Sequence, residues 1–61
     1  MTENSIPNDP MILLSFVNTK LRDFYPSLDE MCDDLGCDKA EIESKLALID
    51  YTYNAELNKF V

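Results

Sequence analysis

Between Ser27 and Ile49 the chain reads SLDEMCDDLGCDKAEIESKLALI, two helical stripes divided by the one glycine of the sequence. Ser27 is a good N-cap residue. Glu30, three positions on, completes the pattern of a capping box, in which the serine oxygen accepts the Glu30 amide and the glutamate reaches back. Leu28, Met31, Cys32 and Leu35 recur at helical spacing and leave Asp29, Glu30, Asp33 and Asp34 on the opposite face. Gly36 falls where that helix must stop and where a left-handed residue is needed to turn it. Asp38 then offers a second N-cap, with Glu41 completing a second box, and Ile42, Leu46 and Ile49 form the next apolar stripe. Cys32 places a small side chain where two steeply crossing helices approach, and Cys37 follows the glycine at a position expected to point inward. The expectation is a helix-turn-helix pair, with helices over about 28–35 and 39–49.

Upstream, Asn8-Asp9-Pro10 marks an emphatic helix start, with Asp9 as N-cap and Pro10 at the first helical position, where a missing amide costs nothing. The spacing of Leu13, Leu14, Val17, Leu21 and Phe24 predicts a core helix over about 10–24. Asn18, Thr19, Lys20, Arg22 and Asp23 fall on its polar face, which reads as solvated. Ile12 and Phe16 extend the apolar arc sideways past Lys20. Either the tail or the C-terminal segment covers them, or they form a self-association surface that would add stability to a small domain. Tyr25-Pro26 ends the helix, because the residue before proline is pushed out of the helical region.

Met1 to Asn8 is polar, has no period and is expected to be a flexible tail over residues 1–8, leaving 9–61 as a single domain. After the third helix, Tyr51-Thr52-Tyr53 changes to an alternating period, Asn54 to Asn58 reads as a turn with Asn58 left-handed, and Lys59-Phe60-Val61 returns. This predicts a short hairpin over about 51–61, either a wing or a lid that covers the core with Tyr51, Tyr53 and Phe60. The expected fold is mainly α: a three-helix, helix-turn-helix-like domain with a short C-terminal β-hairpin, winged-helix-like in outline.

At 61 residues the chain is near the lower size at which a core is stable without disulfides, metal or a partner. Its 5 basic and 12 acidic residues leave a net charge of −7, which repels polyanions and favours a partner with a basic surface over a nucleic acid or an anionic membrane. Histidine is absent, and Ser15, Ser27 and Ser44 have no evident base, so the reading is non-enzymatic. Cys32 and Cys37 lack CxxC spacing and a second pair, so no zinc site is expected and both read as free core thiols. Asp29, Glu30, Asp33, Asp34 and Asp38 lack the alternating spacing of a calcium loop and read as a solvated acidic face. No metal or cofactor is expected. Glu3 and Asp9 stand where a signal peptide would be basic, and the apolar run Met11 to Val17 is too short to span a bilayer, which points to the cytoplasm.

With NDPMILLSFVNTKLRDFY, then SLDEMCDDLG, then the closing YTYNAELNKF, the chain resembles a family of very small bacterial proteins grouped as domain of unknown function 4250. The resemblance covers nearly the whole chain after the first few residues, and NTKLRD together with the Tyr-x-Tyr ending carries its specificity. It implies a complete protein of bacterial type and no particular activity. The part from Ser27 to Tyr53 is separately similar to winged helix-turn-helix modules, in which the turn glycine and the apolar positions here held by Ile42 and Leu46 fix the helix pair.

The charges depart from a DNA-binding module. A recognition helix presents arginine, lysine, asparagine or glutamine to bases and cations to phosphates. Here the exposed side of the third helix carries Asp38, Glu41 and Glu43 against Lys39 and Lys45, so counterion release has little to work with. Lys39, Lys45 and Lys59 would favour nucleic acid only by clustering. The candidate partner or nucleic-acid face is Lys39, Ala40, Glu43, Ser44 and Lys59, and the candidate self-association surface is Ile12 and Phe16. The leading expectation is a small acidic protein-interaction module, docking a basic protein surface or forming a homodimer; the alternative is a helix-turn-helix transcriptional regulator.

Overall fold

A computed structural model describes residues 6–61. Three helices, α1 (Pro10–Asp23), α2 (Leu28–Leu35) and α3 (Lys39–Ala47), precede two short strands, β1 (Tyr53–Asn54) and β2 (Lys59–Phe60). The strands pair antiparallel, with Tyr53 opposite Phe60 and Asn54 opposite Lys59. Most of the chain is helical, as the capping and periodicity of the sequence predict.

Each helix begins at the expected cap. Asp9 Oδ1 accepts the Met11 amide at 2.9 Å, Ser27 Oγ accepts the Glu30 amide at 3.2 Å, and Asp38 Oδ1 accepts the Ala40 amide at 2.9 Å. The first predicted box is half closed and the second does not form, since Asp38 accepts the Ala40 amide and not that of Glu41. Glu30 returns no side-chain bond to Ser27 among the described residues, and the Glu41 carboxylate lies 3.8 Å from Lys45 Nζ. Both glutamates are exposed, so their hydration competes with a bond that gains little in water.

The helix ends follow from left-handed residues. Gly36 has φ 71°, and the Cys37 amide bonds the Cys32 carbonyl at 3.0 Å. Regular α3 stops at Ala47, two residues before the predicted end at Ile49. Its last turn tightens, with Leu48 and Ile49 amides bonding carbonyls three residues back, and Asp50 then turns left-handed with φ 64°. Asp50 and Tyr51 amides close on the Ala47 and Leu46 carbonyls, a Schellman arrangement in which aspartate holds the place usually given to glycine.

The core is one cluster drawn from all three helices and β2: Leu13, Val17 and Leu21; Leu28, Met31 and Cys32; Ile42 and Leu46; and Phe60. Tyr51 and Tyr53 pack against it while Thr52 faces solvent, as the alternating period predicts. Phe24 departs from prediction. It was expected on the core stripe of α1 but is 66% exposed, because the helix ends at Asp23 and the Phe24 backbone leaves helical angles (φ −127°). Its ring lies under Lys20, 4.9 Å from Nζ.

The flexible tail expected over residues 1–8 lies, for residues 1–5, outside the described residues. Ile6 packs against the core, and Asn8 Oδ1 accepts a hydrogen bond from Lys45 Nζ at 2.8 Å.

Candidate functional site

Two asparagines fix how the hairpin sits on the helices. Asn18, expected on a solvated face, instead bonds the β2 backbone twice. Its Oδ1 accepts the Phe60 amide at 2.8 Å, and its Nδ2 donates to the Phe60 carbonyl at 3.2 Å. Asn58 is left-handed (φ 54°) as predicted, and its Nδ2 donates to the Leu21 and Tyr25 carbonyls at 3.1 and 2.9 Å. Its Oδ1 accepts the Tyr53 hydroxyl at 2.7 Å, and that hydroxyl accepts the Leu28 amide at 3.3 Å. The end of α1, the start of α2 and the hairpin are thereby joined through two side chains. An Asx turn completes the loop, where Asn54 Oδ1 accepts the Glu56 and Leu57 amides at 2.9 and 3.1 Å.

This scaffold separates the residues of the expected partner face. Ala40, Glu43 and Ser44 line one wall of a groove of about 470 Å³, whose opposite wall is the segment Tyr51 to Tyr53. Lys59 lies elsewhere, in a polar groove of about 610 Å³ between α1 and the hairpin, beside Asn18, Thr19 and Arg22. β2 lies against α1 and carries Lys59 to that side. Lys39 reaches back to α2 and pairs with Asp29 at 3.0 Å, a bond that raises its pKa above the usual lysine range, with the carboxylate's charge adding to the effect. Lys45 pairs with Glu41 at 3.8 Å and with Asn8. The lysines that would have to cluster to hold a phosphate backbone thus sit in three different surroundings.

The remaining cations are also engaged. Arg22 forms a two-bond pair with Asp23 at 2.9 and 3.0 Å, and Lys20 Nζ lies between the rings of Phe16 and Phe24 at 5.5 and 4.9 Å. The acids of α2 and α3, by contrast, form an exposed surface: Asp29, Glu30, Asp33, Asp34, Glu41 and Glu43. Tyr25 donates to Asp34 at 2.6 Å, and this bond to the carboxylate raises the phenol's pKa.

Ile12 is 57% exposed, whereas Phe16 is partly buried against the core. With Lys20 and Phe24 they form a line of residues spaced four apart along α1. The C-terminal segment runs on the Asn18 side of the helix and leaves Ile12 and Phe24 exposed.

Both thiols are free, Cys32 buried and Cys37 partly buried. Burial, reinforced by a hydrogen bond with Cys37, pushes the Cys32 thiol up to about 12, so it stays protonated and inert at neutral pH. Iodoacetamide at pH 8 is therefore expected to modify Cys37 first and to reach Cys32 only on unfolding. Peptide mapping of a time course checks this, and equal early labelling of the two cysteines would contradict it. The raised value also has a stability sign. The contribution of neutral Cys32 is complete below the ordinary thiol pKa and is lost as pH rises from there toward 12.

Among the described residues no three histidine, cysteine, aspartate or glutamate side chains are grouped to hold a metal ion, and no helix is long and apolar enough to cross a membrane. Sequence reasoning missed Asn18 and the hydroxyl of Tyr53, both inside the segments that carried the family resemblance. The signal available was their position: an asparagine in the middle of a helix and a tyrosine at the start of a hairpin whose turn ends in a left-handed asparagine.

A family model described as a domain of unknown function (DUF4250) matches residues 7–60. The chain belongs to this family. The DUF4250 match takes in α1 through β2, including Asn18, Tyr53 and Asn58. Comparison with curated proteins and with solved structures gave no match.

Proposed function

We propose that this DUF4250 protein is a small acidic, non-enzymatic interaction module of the bacterial cytoplasm, in which α2, α3 and the hairpin form a winged-helix-like unit that docks a basic protein surface. The observation that carries this reading is the state of the α3 lysines. Lys39 and Lys45 are each already paired with a carboxylate, while Glu30, Asp33 and Glu43 on the same two helices have no cationic partner among the described residues. A phosphate backbone approaching α3 meets net negative charge, and a lysine- or arginine-bearing surface meets its complement.

The test is a titration of isotope-labelled protein at low salt with decalysine and, separately, with random-sequence duplex DNA. Decalysine is expected to shift amides of α2 and α3 in a way that fades as salt rises, and DNA is expected to shift none. DNA-induced shifts at Lys39, Ala40, Ser44 and the hairpin would replace this reading with that of a transcriptional regulator.

The line Ile12, Phe16 and Phe24 favours a second reading, a homodimer closed through α1. Under it, Phe16→Glu converts a dimer to a monomer in sedimentation equilibrium. An unchanged mass for the variant removes self-association through this face.

A further inference from the structure

The two outer edges of the hairpin are treated differently. Thr52 and Val61 exchange backbone hydrogen bonds at 3.0 and 2.9 Å, which makes the next pair, Tyr53 and Phe60, the one whose amides and carbonyls turn outward. On the β2 side both outward groups of Phe60 are taken by the Asn18 amide, which does what a third strand would do. On the β1 side the amide and carbonyl of Tyr53 have no partner among the described residues. That edge borders the groove whose far wall is α3.

We infer that the free edge of β1 docks an extended, basic peptide segment of a partner protein, which pairs its backbone with Tyr53 and sets a lysine or arginine against Glu43. This rests on the interaction-module reading and names the partner's conformation and chemistry. An extended chain is required because only an extended residue offers an amide and a carbonyl to the same edge residue, whereas a helix has already used its own. A basic side chain is required because Glu43 is, among the described residues, the one charged residue lining the groove, and the chain as a whole carries −7. A second copy of this chain does not fit, since edge-to-edge pairing would set one Glu43 near another between two bodies of like charge.

The edge is also held ready. The Tyr53 ring lies 5.6 Å from that of Phe60, and its hydroxyl is fixed by Asn58 and Leu28, so the backbone at Tyr53 has little freedom to lose on binding. On the opposite wall Ala40, Ser44 and Ala47 are small and leave room for an incoming chain.

The test titrates labelled protein with an acetylated, amidated pentapeptide of alternating valine and lysine, and with the same peptide N-methylated at its central residue. The parent peptide is expected to move the Tyr53 amide downfield and slow its solvent exchange at least about tenfold, as formation of a protected hydrogen bond requires. The N-methylated peptide is expected not to bind, and Glu43→Gln is expected to weaken the parent about fivefold, the effect of losing one exposed ion pair. Equal binding of the two peptides with the Tyr53 amide unmoved overturns edge docking and leaves the acidic-surface reading standing. Binding of decalysine but of neither pentapeptide does the same. Failure of all three ligands overturns both readings.

Discussion

Asn58→Ala is expected to lower the unfolding free energy by about 2–3 kcal/mol. The wild-type side chain donates to two carbonyls at the end of α1, accepts the Tyr53 hydroxyl, and sits on a left-handed backbone. Alanine loses three hydrogen bonds of roughly 1 kcal/mol each at partly buried groups, some of which water can replace. It also lacks the short polar side chain that lets asparagine tolerate positive φ, which adds about 1 kcal/mol. Asn58→Gly separates the two causes. It accepts the backbone conformation and loses only the bonds, so it is expected to fall between wild type and alanine. Urea denaturation of the three proteins decides the matter. A native-like midpoint for Asn58→Ala would mean that the hub contributes nothing, and equal midpoints for the two variants would mean that the backbone conformation contributes nothing. A domain of this length has only about 3–9 kcal/mol of total stability, so the expected loss is a large share of it.

What could be read from the sequence follows from the range of each interaction. Caps, the Gly36 turn and the helical stripes are signalled within a few residues, and Asp9, Ser27, Asp38 and Gly36 all act where local chemistry places them. Asn18 to Phe60 and Asn58 to Leu21 span 42 and 37 positions, and no local pattern records such a pairing. An amphipathic reading assigns any polar residue off the apolar stripe to solvent, Asn18 among them. Phe24 shows the reverse error. Its spacing continues the stripe of α1, but the helix has already ended, and periodicity does not register a change of backbone angle.

The candidate face was legible to the same extent. Ala40, Glu43 and Ser44 share the exposed side of α3, and the structure sets them along one groove. Lys59 joins them only if the hairpin folds with its cation toward α3, whereas Asn18 and Asn58 hold β2 against α1. The pairing of Lys45 with Glu41 follows the helical repeat and could be read in advance; that of Lys39 with Asp29 crosses the turn and could not. Net charge disfavours a polyanion for the chain as a whole, and the pairing of Lys39 with Asp29 and of Lys45 with Glu41 extends this to α3 itself.

Phe60→Ala is expected to cost about 3–5 kcal/mol, the range for removing a buried aromatic ring, and so to exhaust most of the stability available to a domain this small. Phe60 is 2% exposed and is the only member of the fully buried core supplied by the hairpin. Two outcomes are physically distinct. If the hairpin were a lid on an independently folded three-helix unit, only residues 51–61 would lose their dispersed amide resonances. The contacts argue for the other outcome. The core is a single cluster, β2 is bonded to the middle of α1 through Asn18, and the start of α2 is held by the hydroxyl of Tyr53, whose ring rests near that of Phe60. Losing the ring loosens all of these together, so resonances of α1, α2 and α3 are expected to collapse along with those of the hairpin. Phe60→Leu, which refills most of the volume, is expected to cost about 1.5 kcal/mol or less and to keep the native spectrum. A Phe60→Ala spectrum with helical resonances intact and only the hairpin lost would show that the groove beside Tyr53 is framed by a detachable element, and the preorganised edge inferred for β1 would lose its basis.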